Sequence, residues 1–323
     1  MLTWLLLVIF LHLGWLLLLA AFIVVIMRTR AAERRHPPIG EFLEVRGIRV
    51  HYLMRGPADG PVLVLLHGNG AAIQDFVISG LLGRAAQRYR VIAFDRPGFG
   101  YTARPRTRIW GPDAQADLIA SVLDQLGVKD AIVLGHSWGT LVALAFALRF
   151  PARMRGLVLA SGYYFPTRRK DVWFLSTPAI PVFGDVMRHT VLPFMGQRIT
   201  PKVVRHIFAP QPVPEHFMAK FPIGLSLRPL SLRASAEDTA TMVPAAARIA
   251  PRYGEITCPV AVIWGDGDKV VEAEHGPRLK QALPDAITRV VPGVGHMVHY
   301  ADPGAVLDMV DAVAARQPAA VPG

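Results

Sequence analysis

Cysteine is nearly absent. Cys258 is the only one in 323 residues, which excludes an intrachain disulfide framework and fits a reducing compartment. Acidic residues are also sparse: 24 Asp and Glu stand against 35 Lys and Arg, a formal net charge of +11. That excess does not mark a nucleic-acid binder, because no basic stripe interleaved with aromatics and no known binding motif is present. A nucleotide-cofactor loop is missing as well. Gly68-Asn69-Gly70 lacks the third glycine of a dinucleotide fingerprint, so no cofactor is expected. There is no internal repeat, and low complexity is confined to the apolar N-terminus and the Ala/Pro-rich end.

One long stretch has no charge. Residues 4–27 are Leu-, Val-, Ile- and Phe-rich, with His12 their only titratable group. As a helix the stretch would reach ~36 Å, enough to cross a bilayer with some tilt. No Lys or Arg precedes it, no small-x-small cleavage site follows Met27, and it exceeds the h-region of about 7–15 residues found in a cleaved signal peptide. The sequence therefore predicts a transmembrane anchor over residues 1–27, with a signal peptide and a secreted or periplasmic product as the alternative. Arg28, Arg30, Arg34 and Arg35 follow, opposed only by Glu33. This flank places the rest of the chain in the cytoplasm, single-pass. Residues 28–40, including His36-Pro37-Pro38, read as a basic, Pro-rich linker.

From Glu41 onward strands alternate with helices. Residues 42–46 and 48–54 read as a hairpin turned at Gly47. Buried strands follow at 62–66, 91–94, 131–134, 157–160, 260–264 and 288–291, with helical patterns at 112–126, 141–150 and 272–283. Such alternation predicts an α/β fold: a mostly parallel sheet covered by helices on both faces, with ligands bound beyond the carboxyl ends of the strands. Residues 163–251 have another texture, with 12 prolines set among Phe and Met. They read as a helical cap inserted after the sixth strand, whose apolar residues line a pocket. The core then comprises 41–162 and 252–316, with a tail at 317–323. Residues 165–250 hold 11 Lys/Arg and 5 Asp/Glu, a balance of +6, which suits anionic lipid headgroups as well as a solvated surface.

The chemistry concentrates at three strand ends. Gly135-His136-Ser137-Trp138-Gly139 lies between a predicted strand and a predicted helix, a Gly-x-Ser-x-Gly elbow. There the glycines permit a sharp turn, Ser137 is exposed, and the Trp138 amide stands at a helix N-terminus, where developing negative charge is stabilised. Acyl transfer also needs a base and an orienting acid. His296, in Gly293-Val294-Gly295-His296, and Asp268, in Gly265-Asp266-Gly267-Asp268, each follow a strand and supply them. Asp266 is the rival acid and reads as a turn former. His299 lies three residues after His296, but no third ligand is apparent, so no metal is expected. His136 reads as packing, His67 as a structural hydrogen-bonder, and Asp95 as structural.

Residues 41–316 resemble the α/β-hydrolase superfamily, in its capped branch of esterases, haloperoxidase-like enzymes and C–C bond hydrolases. The segments that carry the resemblance are Leu66-His67-Gly68-Asn69-Gly70, Asp95-Arg96-Pro97-Gly98-Phe99-Gly100, Gly135 to Gly139, Gly265-x-x-Asp268 and Gly295-His296. The resemblance implies Ser137 as nucleophile, His296 as general base and acid, Asp268 as the residue that fixes its tautomer, and the amides of Asn69 and Trp138 as the oxyanion hole. It implies a serine hydrolase acting on an ester, thioester or lactone of a hydrophobic small molecule. Epoxide hydrolases and haloalkane dehalogenases share the fold but typically use Asp where this chain has Ser137. Two alternatives remain: C–C bond cleavage in a vinylogous diketone, and a non-catalytic binder of apolar ligands.

Overall fold

The structure is a computed structural model that describes residues 1–316; the expected tail at 317–323 lies outside the described residues. Eight strands form one sheet: β1 (Glu41–Val45), β2 (Ile48–Arg55), β3 (Val62–Leu66), β4 (Arg90–Phe94), β5 (Ala131–His136), β6 (Met154–Ala160), β7 (Val260–Gly265) and β8 (Ile287–Val291). Their spatial order is β1-β2-β4-β3-β5-β6-β7-β8. β1, β2 and β4 pair antiparallel, and every other pairing is parallel. The hairpin between β1 and β2 turns at Arg46 and Gly47, both at positive φ.

The continuous apolar strands follow from burial on both faces. Successive residues of β3 point to opposite sides. Val64 and Leu66 join a core with the helices Pro112–Gln125 and Gly139–Arg149, whereas Leu63 and Leu65 join one with Leu81–Ala85 and Pro303–Ala314. This sandwich fixes the strand ends, and the site is built on them.

Between β6 and β7 the chain forms the helices Lys170–Ser176, Phe183–His189, Leu192–Phe208, Glu215–Lys220, Ile223–Ser226 and Pro229–Ile249. The prolines do not prevent this. Pro193 and Pro229 fall in the first turns of their helices, where the missing N–H costs nothing. Tyr163 and Tyr164 at the entrance, and Ala245, Ala246 and Ile249 at the exit, are buried in the main core, so the insertion is welded to the sheet at both ends.

A single helix runs Leu2–Arg35, and it is long and apolar enough to cross a membrane. It differs from the expected linker over residues 28–40: residues 28–35 are helical, and the extended link is shorter. Thr29 to Arg35 hold no helix breaker, and the helix stops just before Pro37, whose ring disfavours helical backbone in His36. The last turns pack on the cap. Val25 and Ala32 are buried, Arg28 Nη1 donates to Gln197 Oε1 at 2.8 Å, and Arg228 Nη1 donates to Glu33 Oε1 at 2.9 Å.

Candidate active site

The turn after β5 holds Ser137 at φ +53°, a region that costs a non-glycine residue strain and persists only when its surroundings enforce it. Both flanking glycines are required sterically. A Cβ on Gly135 would collide with the Gly139 carbonyl, and one on Gly139 with the Leu66 carbonyl. The Ser137 amide donates to the Ala160 carbonyl at 2.9 Å, which ties the elbow to β6.

Three sequence-predicted residues meet here from three strand ends. Ser137 Oγ lies 2.8 Å from His296 Nε2, and His296 Nδ1 lies 2.8 Å from Asp268 Oδ2. With Nδ1 protonated toward the carboxylate, Nε2 is left to accept the serine proton. The other Asp268 oxygen accepts from the amides of Val270 at 2.8 Å and Val271 at 3.1 Å. Burial pushes the Asp268 carboxyl up, but the facing imidazole and these amides outweigh it and hold it below the usual range. Asp266 is turned away: its Oδ1 accepts from the Gly293 amide at 2.7 Å, at the surface.

Asn69 and Trp138 flank the serine, and among the described residues neither backbone amide is spent on another protein group. Their side chains reach the cap instead. Asn69 Nδ2 donates to Thr239 Oγ1 at 3.1 Å and the Ser235 carbonyl at 3.2 Å, and Trp138 Nε1 donates to the Asp238 carbonyl at 2.9 Å. All three acceptors lie on Pro229–Ile249.

Arg96 was not singled out by sequence reasoning, yet it organises this side of the site. Its guanidinium is fully buried. It donates to the His67 carbonyl at 2.7 Å, the Gly68 carbonyl at 3.0 Å and Asp238 Oδ2 at 2.7 Å. His67 Nδ1 donates to the same Gly68 carbonyl at 2.8 Å. That carbonyl belongs to the peptide whose N–H is the Asn69 amide, so two donors on one side fix where the amide points. Burial, then the Arg96 charge, holds His67 down at about 4, so it is neutral.

His299 does not pair with His296. Its Nε2 faces Asp75 Oδ2 at 3.0 Å, and its ring lies 4.3 Å from that of His136. Asp75, His136 and His299 bring their ligating atoms within 4.8 Å of one another. This cluster is not the His296–His299 pair considered from the sequence; it joins His299 to His136 and to Asp75, 224 residues away from His299 in the chain. Burial and the neighbouring His299 and His296 push His136 well below its ordinary value.

Above Ser137 lies a cavity of about 300 Å³. Val203, Val204, Ile207, Phe217 and Leu227 of the cap form its roof, and among the described residues neither Lys nor Arg lines it. A small volume, mostly apolar walls and a few polar groups on the floor suit a small-molecule ligand.

Residues 63–309 match the Alpha/beta hydrolase family. The chain is 31% identical over 292 residues to the magnesium-chelatase 30 kDa subunit of Rhodobacter capsulatus, covering 84% of this chain and 90% of that protein. It is 35% identical over 162 residues to the 2-hydroxymuconate semialdehyde hydrolase of a Pseudomonas species, covering 49% of this chain and 55% of that one. A solved bacterial membrane phospholipase A shares the fold, with a TM-score of 0.66 at 22% identity over 98% of this chain and 100% of that one. The matched segment spans β3 to the final helix and includes every strand end that carries the site, and on these grounds the chain belongs to the alpha/beta hydrolase family.

Proposed function

We propose that this hydrolase is a serine enzyme that cleaves an ester, thioester or lactone bond of a neutral, apolar small molecule through an acyl-enzyme. The observation that carries the reading is the chain of two 2.8 Å hydrogen bonds from Ser137 through His296 to Asp268, set beneath an apolar cavity. Ser137 Oγ attacks the carbonyl carbon as its proton passes to His296 Nε2. The oxyanion is held by the Asn69 and Trp138 amides, each such donor lowering the barrier by ~3–4 kcal/mol. His296 then protonates the leaving oxygen or sulfur. Water, deprotonated by His296, attacks the acyl-enzyme and releases the acid. Asp268 keeps Nδ1 protonated and balances the imidazolium. No cofactor takes part. The Leu2–Arg35 helix anchors the enzyme in a membrane, with the catalytic body on the side of its basic flank.

Carbon–carbon bond hydrolysis is the second reading, and the likeness to 2-hydroxymuconate semialdehyde hydrolase favours it. The chain spans only 55% of that relative, and the cavity offers no Lys or Arg to receive an anionic substrate.

The test is turnover of p-nitrophenyl esters from acetate to palmitate by the detergent-solubilised chain, with Ser137→Ala alongside. The expected result is a chain-length optimum and a loss of at least ~10³-fold in kcat in the variant. Labelling of Ser137 by a fluorophosphonate without ester turnover would move the assignment to carbon–carbon hydrolysis. Neither labelling nor turnover would overturn the nucleophile and leave an apolar-ligand binder.

A further inference from the structure

The outer face of the cap is apolar where a soluble enzyme would be polar. Val191, Met195, Ile199 and Val203 follow at four-residue spacing up to and along Leu192–Phe208, and each is about half exposed. That spacing makes one stripe. Arg198, Lys202 and Arg205, all exposed, border it on one side. On the other side the same helix turns Thr200, Val204 and Ile207 toward the cavity above Ser137, and Val203 belongs to both faces. The stripe therefore leads from the cap surface to the cavity mouth. The neighbouring segment adds Val182, Phe183 and Val186, also exposed.

The N-terminal helix fixes the height of this surface. The Phe22 ring lies 5.8 Å from that of His189, Val25 lines a hollow with His189 and Leu230, and the Arg28 guanidinium lies 4.6 Å above the Phe194 ring. Phe22 and Val25 belong to the uncharged run that ends at Met27. His189 thus stands level with the last turn and a half of that run, on the order of 8 Å deep to Arg28, and the first turn of Leu192–Phe208 stands level with Arg28 itself. If the run crosses a bilayer, this corner of the cap cannot lie wholly in water.

We propose that the outer face of Leu192–Phe208, with residues 182–186, docks into the headgroup layer of an anionic bilayer, and that the cavity takes its substrate from that layer. Arg198, Lys202 and Arg205 meet anionic headgroups, and the stripe meets the top of the acyl chains. Docking rests on the Leu2–Arg35 helix being a retained anchor. It deepens the proposed function by making the substrate an amphiphile whose scissile bond lies at headgroup depth. A second copy of the chain is the rival occupant of the stripe.

The test uses the full-length chain, one copy per nanodisc of phosphatidylcholine and phosphatidylglycerol. An environment-sensitive fluorophore is attached through Ile199→Cys or Val186→Cys, with Asp130→Cys as the control; native Cys258 is buried. Asp130 is exposed at the start of β5, at the end of the sheet opposite the strand ends that face the cap. The expected result is blue-shifted emission at 199 and 186, quenched by spin-labelled lipid and weakened when phosphatidylglycerol is omitted, with none of this at 130. Water-like emission at 199 and 186, or a blue shift without lipid quenching, overturns docking; a blue shift that appears only with two copies per nanodisc gives the stripe to a second copy. This readout does not need turnover, so it stands or falls apart from the esterase reading. For delivery, Ile199→Asp should lower hydrolysis of a vesicle-borne ester about tenfold while leaving a soluble short-chain ester unaffected. Equal rates on both, relative to the unsubstituted chain, overturn lateral entry. A loss on both, with Ile199→Asn behaving as the unsubstituted chain, overturns it too, since the site itself is then disturbed.

Discussion

Asp266 and Asp268 stand two residues apart after β7 and meet opposite surroundings. Asp266 is spent on a backbone amide at the surface, whereas Asp268 is buried, receives two amides on one oxygen and presents the other to His296. The proposed mechanism needs an acceptor at Nδ1 to select the tautomer whose Nε2 can take a proton. Asp268→Asn would offer an amide N–H or a weaker acceptor in nearly the same shape. It is expected to lower kcat by about 10⁴-fold with the fold intact. Asp266→Asn keeps an oxygen for the Gly293 amide and should change kcat little. Steady-state rates on one soluble ester decide this. If the Asp266 variant is the crippled one, the orienting role belongs to the other carboxylate.

At the scale of elements, the helix Pro229–Ile249 is more than a roof. Its Asp238 is fully buried and accepts from Arg96 at 2.7 Å and Arg104 at 3.1 Å, while its carbonyl accepts from the Trp138 indole. Arg96 in turn grips the carbonyl of the Gly68–Asn69 peptide. The cap is thereby joined to both residues whose amides face the proposed oxyanion. Asp238→Asn leaves the buried Arg96 guanidinium without its anion, while Arg104 keeps Glu237 at 2.6 Å, and breaking a buried pair from one side typically costs ~3–5 kcal/mol. The variant should unfold at lower temperature. Where folded, it should lose kcat more than it raises KM, because the Gly68–Asn69 peptide loses an aimed partner. A normal kcat in the folded fraction would make Asp238 a purely structural tie. Little of this coupling was legible in the sequence. The strands, the elbow and the three strand-end residues were, because apolar runs, paired glycines and turn residues are local signals. Arg96 and Asp238 lie 142 residues apart, and Asp75 and His299 lie 224 apart; a long-range polar pair leaves no periodic trace. The cap helices were hidden by prolines: Pro193 and Pro229 take first-turn places visible only once the helix starts are known, and Pro201 and Pro244 lie inside helices that continue past them. The helical stretch at 28–35 was masked by the nearby Pro37-Pro38 and its many charges.

For the whole molecule, these buried neutral histidines set how stability depends on pH. Burial holds His67 down to about 4, and His136 falls well below its ordinary value for the same reason, reinforced by His299 and His296. In the unfolded chain both return to ~6.5. Between these values the unfolded state binds protons that the folded state refuses, so folding stability declines as pH drops below about 6.5 and continues to decline toward about 4. The slope is ~1.4 kcal/mol per pH unit for each histidine once its unfolded form is fully charged, or of order 3 kcal/mol in all for His67. Asp268 acts with the same sign in a lower window. Its depressed carboxyl stabilises the fold above the ordinary value of ~3.9, and that contribution is lost only as pH falls further, through its folded value. The histidines therefore govern mild acid. Thermal unfolding of the detergent-solubilised chain should shift to lower temperature from pH 7 to pH 5, and the shift should be smaller in His136→Gln, whose side chain can still donate to the His296 carbonyl. A transition temperature independent of pH, or an identical slope in the variant, would mean that these imidazoles take up protons inside the folded protein. The interior beneath the elbow would then be wetter than its geometry implies, and His67, which with Arg96 holds the Gly68 carbonyl, would carry charge.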